Sequence, residues 1–415
     1  MGQSFFRKAA AVLLAAAAFA GTSLFAAADI DVSGGGVVRA NTETEPFTGH
    51  GEDAAAGPLS AAPAEVPAAG GSSVPAPGAA PSEPPPATTT VPAESLPEPR
   101  RAFLFESELA GFSRDDYAGA VNGLFAAYEK TTGRSLVPAA KKKVALKIFT
   151  SSGKGLATPP ELTRAVRDEL VRRGFARENV LIVDLGEKSL RKSGYLPPFR
   201  RGNDVWEGSP VLALDTGKFY DAKWFFENPL PSRDAYLPDA SEWDAPENDR
   251  RSFLPAPLMF DVDFWINLPV ATDSPALGVS GALANATLWN MSNQRRFLEN
   301  PANAAVAAVS VAAIPEFRAT FELTLLSLEK YQFIGGPNFY AEYVASEKRL
   351  WLSANPVILD YLLWRRMNAM RTRRGFEPIL PEPPCFAMAS RGAAALGSCV
   401  SSEITLVGVP AKGEK

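Results

Sequence analysis

Three stretches decide the fold: Val144-Ala145-Leu146-Lys147-Ile148-Phe149, then Thr158-Pro159-Pro160-Glu161, then Val180-Leu181-Ile182-Val183-Asp184. The first and last are short apolar runs bounded by turn residues, as buried strands are. Between them Leu162, Ala165, Val166, Leu170 and Val171 recur at helical spacing and stop near Gly174. Thr158 and Glu161 have the spacing of a capping box, with proline at the first helical position. Strand, helix and strand in this order predict a parallel pair joined by a right-handed crossover.

Working outward, the same alternation continues towards the C-terminus. Phe260 to Pro269 alternates as a strand, and Gly278-Val279-Ser280-Gly281-Ala282-Leu283-Ala284-Asn285 leads towards a helix. Ala304–Ile314 reads as a buried helix, Phe321–Leu325 as a strand, and Gly335-Gly336-Pro337 as a turn. Leu350-Trp351-Leu352 is a short strand, and Pro356 to Arg373 a helix with Asp360 in its first turns. Strands alternating with helices predict a three-layer α/β fold, its sheet mixed but largely parallel, with helices on both faces.

That domain is expected to span 101–415. Residues 1–28 have the parts of a secretory signal: Arg7 and Lys8, an apolar stretch from Ala9 to Ala20, and Ala26-Ala27-Ala28 before Asp29. If the signal is cleaved there, no stable membrane anchor is left, the alternative being an uncleaved anchor whose apolar run continues through Leu24 and Phe25; the expected location is periplasmic or secreted. Residues 29–100 are rich in Ala, Pro, Gly, Ser and Thr without apolar periodicity, the composition of a disordered spacer.

Charge and residue counts narrow the function. The spacer holds ten acids against Arg39 and Arg100; apart from it and the leader, 38 bases meet 36 acids. A domain so nearly neutral gives no sign of a nucleic-acid partner. The single histidine, His50, lies in the spacer, so the domain can contain no Ser–His or Cys–His pair and no multi-histidine metal site. No metal site is expected. Cys385 and Cys399 are fourteen positions apart, and a disulfide closing that loop in an oxidising compartment would be worth about 3 kcal/mol.

Two segments remain open. Gly153 and Gly155 before the first crossover helix could cradle an anion or form an ordinary strand-to-helix turn, the latter favoured. Residues 185–255, with Trp206, Tyr220, Trp224, Phe225, Phe226, Tyr236 and Trp243, could form a pocket wall or an irregular insertion packed down by its aromatics. The second has the edge.

Several residues in order resemble the domain-of-unknown-function family 362. They are Lys147 in the first strand, Asp184 ending the second, Gly194-Tyr195, Asn267-Leu268-Pro269, Gly278–Asn285, Arg296-Phe297, Gly335-Gly336-Pro337 and Asn355-Pro356-Val357-Ile358-Leu359-Asp360. The resemblance runs from about 110 to 400. It implies a polar site drawn from Lys147, Asp184, Asn267, Asp273, Asn285, Arg296 and Asp360. Where that family has Lys-X-His and a further Lys, this chain has Thr272, Ser274 and Ala284. The chain lacks Cys-X-X-Cys clusters, so the iron–sulfur module common in that family is not expected.

The residues support three expectations: a divergent copy with a depleted site that binds a small ligand or a partner, an enzyme using Lys147 and nearby carboxylates, or an envelope-associated structural or interaction protein. Strand-ending Asp184 and Asn267 stand where ligands bind in open α/β sheets.

Overall fold

The computed structural model describes residues 102–199, 204–228, 230, 250–298, 300–390 and 394–410. The signal and spacer expected over 1–100 lie outside them, as do Tyr236 and Trp243.

The domain is built on a nine-stranded sheet. In chain order its strands are β1 (Ala102–Glu108), β2 (Val144–Lys147), β3 (Val180–Asp184), β4 (Val205–Trp206), β5 (Ser209–Ala213), β8 (Phe264–Asn267), β11 (Phe321–Ser327), β14 (Arg349–Ser353) and β15 (Ile404–Val409), while β9 (Ala271–Ser274), β10 (Gly278–Ser280), β12 (Tyr331–Gln332) and β13 (Val344–Ala345) form a separate four-stranded sheet. Across the sheet they lie in the order β15-β1-β14-β11-β8-β2-β3-β5-β4. The five strands from β11 to β5 run parallel, while β14 and β4 run against their neighbours. The predicted largely parallel α/β sheet is therefore present.

Helices cover both faces because alternate residues of each strand point to opposite sides. On one face Val144, Leu146, Val180, Ile182, Phe264 and Ile266 share an apolar cluster with helices α1 (Arg114–Thr132) and α2 (Pro160–Arg172). On the other, Ala145, Leu181, Val183 and Trp265 share a cluster with helices α5 (Arg295–Leu298), α6 (Pro301–Ala312) and α7 (Pro315–Thr320). That same side carries α8 (Pro356–Arg373) under Leu104, Leu326 and Trp351 of the mixed half of the sheet. Asn355 caps α8 by accepting the Val357 amide at 2.9 Å, and Pro356 takes the first turn.

The order of connection matters for function. The chain steps from β2 to β3 and β5, then returns to lay β8 on the other side of β2 and β11 beyond it. The winding thus reverses between β2 and β8, the kind of switch point beside which open α/β sheets bind ligands.

Residues 185–255 are more regular than expected. They supply helix α3 (Glu187–Lys192), strands β4 and β5 of the main sheet, and a separate hairpin of β6 (Tyr220–Glu227) with β7 (Arg251–Pro255). The aromatics do pack this region down: Trp206 lies 4.9 Å from Tyr195, with Arg164 and Arg167 over its ring at 5.3 and 5.2 Å. Charges that read as loop are here paired across elements, as Glu207 is with Arg167 at 3.0 Å. The run from Phe260 also begins later as a strand than its alternation suggests, since Pro257–Asp261 form a helical turn.

The expected Cys385–Cys399 bridge is not formed. Cys385 faces the core from helix α9 (Pro384–Ser390), where burial pushes its thiol up. The Cys399 sulfur instead takes a hydrogen bond from the Ser390 hydroxyl at 3.3 Å.

Candidate functional site

Lys147 and Asn267 are the last residues of β2 and β8 and lie directly opposite one another in register. Thr324 of β11 stands opposite Asn267, so one polar row crosses three strands at the switch point. All three are fully buried. Buried polar groups must find partners inside the protein, and here they find one another.

The Lys147 ammonium donates to the Ile148 carbonyl at 2.5 Å, to Asp184 Oδ1 at 2.9 Å and to Asn285 Oδ1 at 2.8 Å. Asn285 comes from the short helix α4 (Ala282–Ala286) and donates its amide to Asn267 Oδ1 at 2.8 Å. Asn267 then donates to the Ala282 carbonyl at 2.8 Å and to Thr324 Oγ1 at 3.0 Å. The second oxygen of Asp184 accepts the Thr150 amide at 2.8 Å and hydroxyl at 2.5 Å. Burial lowers the Lys147 pKa from the usual lysine value, while the Asp184 charge opposes that shift.

Beyond the strand ends, the exits of β2 and β8 are also joined. Thr158 does not form the predicted capping box; Pro159 occupies the N-cap and no side chain caps the helix. The Thr158 hydroxyl instead accepts the Phe149 amide at 2.8 Å and donates to the Leu268 carbonyl at 2.7 Å. It therefore ties the exit of β2 to the exit of β8, a use that outweighs a cap at an already proline-started helix.

The preceding glycine loop is an ordinary turn. Gly153 donates to Thr150 O and Leu156 to Gly153 O, so these amides serve the loop itself. Pro159 and Pro160 have no N–H to offer an anion. This favours the turn over the phosphate cradle.

Four of the seven expected site residues thus converge: Lys147, Asp184, Asn267 and Asn285. Asp360 stands beside them without joining the network. Its oxygens accept the Ala282 and Leu283 amides at 2.5 and 2.9 Å, which holds the start of the helix that carries Asn285. Burial raises its pKa to about 7 against those two hydrogen bonds.

Asp273 and Arg296 serve elsewhere. Asp273 accepts the Gly335 and Gly336 amides at 3.1 and 2.7 Å, fixing the turn, and burial raises its pKa. Arg296 donates to the Leu230 carbonyl at 2.8 Å and to Ser252 Oγ at 2.9 Å, anchoring the ends of the β6–β7 hairpin. Thr150, Thr158 and Thr324 are members that sequence reasoning missed. Thr324 had a signal: it is a polar residue set between Leu323 and Leu325 on the strand Phe321–Ser327.

Among the described residues no group of three His, Cys, Asp or Glu side chains is placed to hold a metal ion. Beside β1 and the end of β14 a cavity of about 280 Å³ lies among Phe103, Phe105, Tyr128, Thr131, Thr132, Arg134 and the segment Ser353–Asn355. Arg134 is the one charged residue in its lining, and it reaches Glu322 at 3.6 Å. No described helix is long and apolar enough to cross a membrane. No family model, curated protein or solved structure matches the chain.

Proposed function

We propose that this protein is an exported, tail-borne α/β domain that acts by binding a small anionic or polar ligand, without turnover at the strand-end cluster. The observation that carries this is the closed shell around Lys147, whose three ammonium hydrogens are all taken by protein acceptors at a fully buried position. An amine so engaged has neither a lone pair nor a path to substrate, and a general base needs both. Export is supported by the signal-like pattern of residues 1–28. Descent from the family that the sequence resembles is supported by the convergence of Lys147, Asp184, Asn267 and Asn285 on one point.

For the ligand, the 280 Å³ cavity offers aromatic walls and the Arg134 guanidinium. Its size and lining suit a small carboxylate or phosphate with an apolar body. The test is thermal denaturation of the full chain with benzoate, succinate, phenyl phosphate and inorganic phosphate at millimolar concentration, because ligands of the folded state raise Tm by mass action. Stabilisation should survive in Lys147→Met and vanish in Arg134→Ala. Stabilisation that vanishes in a folded Lys147→Met variant and persists in Arg134→Ala would move the site to the switch point. No stabilisation by any of the four would end the small-ligand proposal.

A further inference from the structure

A sheet edge presents a row of unpaired N–H and C=O groups, and proteins protect such edges with short strands, charges, prolines or bulges. The β4 edge has such protection. That strand is two residues long, and Glu207 in its turn is paired with Arg164 and Arg167.

Among the described residues the β15 edge has none. Ile404-Thr405-Leu406-Val407-Gly408-Val409 carries no charge and no proline. It follows β1 in unbroken parallel register from Ala102↔Ile404 to Ser107↔Val409. Among the described residues no strand pairs with its outer side. Leu406 is 60% exposed, and a Cβ added at Gly408 would meet nothing within 4 Å.

We propose that β15 is a homodimerisation strand, which pairs antiparallel with the β15 of a second copy about a two-fold axis and joins two nine-stranded sheets into one. A second copy fits because the strand is neutral throughout, so self-pairing brings no like charges together. Symmetry then limits the register. Facing residues must share a sheet face, and an isologous contact exchanges them between copies. Paired numbers must therefore add to an even total, and one residue meets itself on the axis. Leu406 is that residue, because this register buries the most exposed apolar side chain of the strand against its own copy. It sets Thr405 opposite Val407 and Ile404 opposite Gly408, where the missing side chain leaves room for isoleucine. Pro410, without an N–H, ends the ladder.

The test uses the full chain in sedimentation velocity from about 1 to 300 µM, a range that brackets a micromolar dissociation constant. The native protein should dimerise with concentration. Leu406→Lys, which sets two ammonium groups against each other on the axis, should weaken the dimer at least tenfold, with circular dichroism unchanged and Tm unchanged at concentrations where both proteins are monomers. Under mild oxidation Leu406→Cys should form a disulfide-linked dimer, while Thr405→Cys and the native chain should not. A native chain that stays monomeric throughout overturns the proposal, as does a Leu406→Lys dimer of native affinity or equal cross-linking at 405 and 406. A monomer whose 404–409 amides resist hydrogen exchange would also overturn it, giving the edge to another segment of the same chain.

Discussion

Replacing Lys147 by methionine keeps the length and removes the charge, so the substitution isolates what the ammonium does. Three acceptors lose their donor: the Ile148 carbonyl, Asp184 Oδ1 and Asn285 Oδ1. Asp184 keeps its two bonds from Thr150 but becomes a buried carboxylate with no cation. Each stranded acceptor costs about 1–3 kcal/mol, and breaking a buried pair from one side about 3–5 kcal/mol after relaxation. The lower part of that range leaves a domain of ordinary stability folded. Urea unfolding of the full chain, followed by tryptophan fluorescence, should therefore show a loss of about 3–5 kcal/mol with an unchanged m-value. Removing both charges in Lys147→Met/Asp184→Asn should recover part of the loss, because the stranded charge is the larger share of it. A single-variant loss below about 1 kcal/mol, the size expected of an exposed pair, would refute the closed-shell reasoning.

Three further outcomes follow from the same neighbourhood. Asp360 has a pKa of about 7 in the folded chain against 3.8 ordinarily, so between those values the folded state holds a proton the unfolded state has lost. Its contribution to stability is present below pH 4 and is lost as pH rises through 7, by about 4 kcal/mol at most. Asp360→Asn should flatten the pH–stability curve over that interval, and a slope equal to that of the native chain would contradict the assignment. At Gly281 an added methyl would overlap the Asp360 carboxylate and sit 2.9 Å from Leu363 Cδ1, so Gly281→Ala should cost at least about 2 kcal/mol in denaturant unfolding. Thiol titration without reductant should find two groups per unfolded chain and slow labelling of Cys385 in the folded one; none in the unfolded chain would establish the bridge after all.

The parts of the fold that were legible in sequence are those where one element decides its own pattern. The helix Pro356–Arg373 ends where the sequence predicts, because its asparagine cap, early proline and last-turn arginines are local signals. Asp184 could be placed at a strand end because an apolar run of that length leaves little choice of boundary, whereas Lys147, expected inside a strand running to Phe149, is the last residue of β2. Cross-chain choices were illegible. Thr158 has the spacing of a cap, yet its hydroxyl is worth more between Phe149 and Leu268, which are close only once β8 lies beside β2. Residues 205–213 look irregular because their partners, β3 and the arginines of α2, are set by tertiary packing. Asp273 and Asp360 were expected in one site, but nothing in their spacing shows that each holds a different pair of amides.

A ligand site at a switch point depends on a gap: strands diverge in their connections, and the crevice between their ends stays open for a ligand. In this chain Lys147, Asp184, Asn267 and Asn285 are turned inward onto one another and their neighbours. Lys147 is bound by Asp184 and Asn285, Asn267 by Thr324 and the Ala282 carbonyl, and the exits of β2 and β8 are joined through Thr158. Asp360 holds the α4 amides from behind, so opening the cluster means moving α4 away from α8. Each of these bonds would have to be replaced by one to a ligand, since an unpaired polar group at this depth costs more than a typical hydrogen bond returns. The cluster is therefore suited to fixing the junction of two half-sheets rather than to exchanging its bonds for those of a ligand.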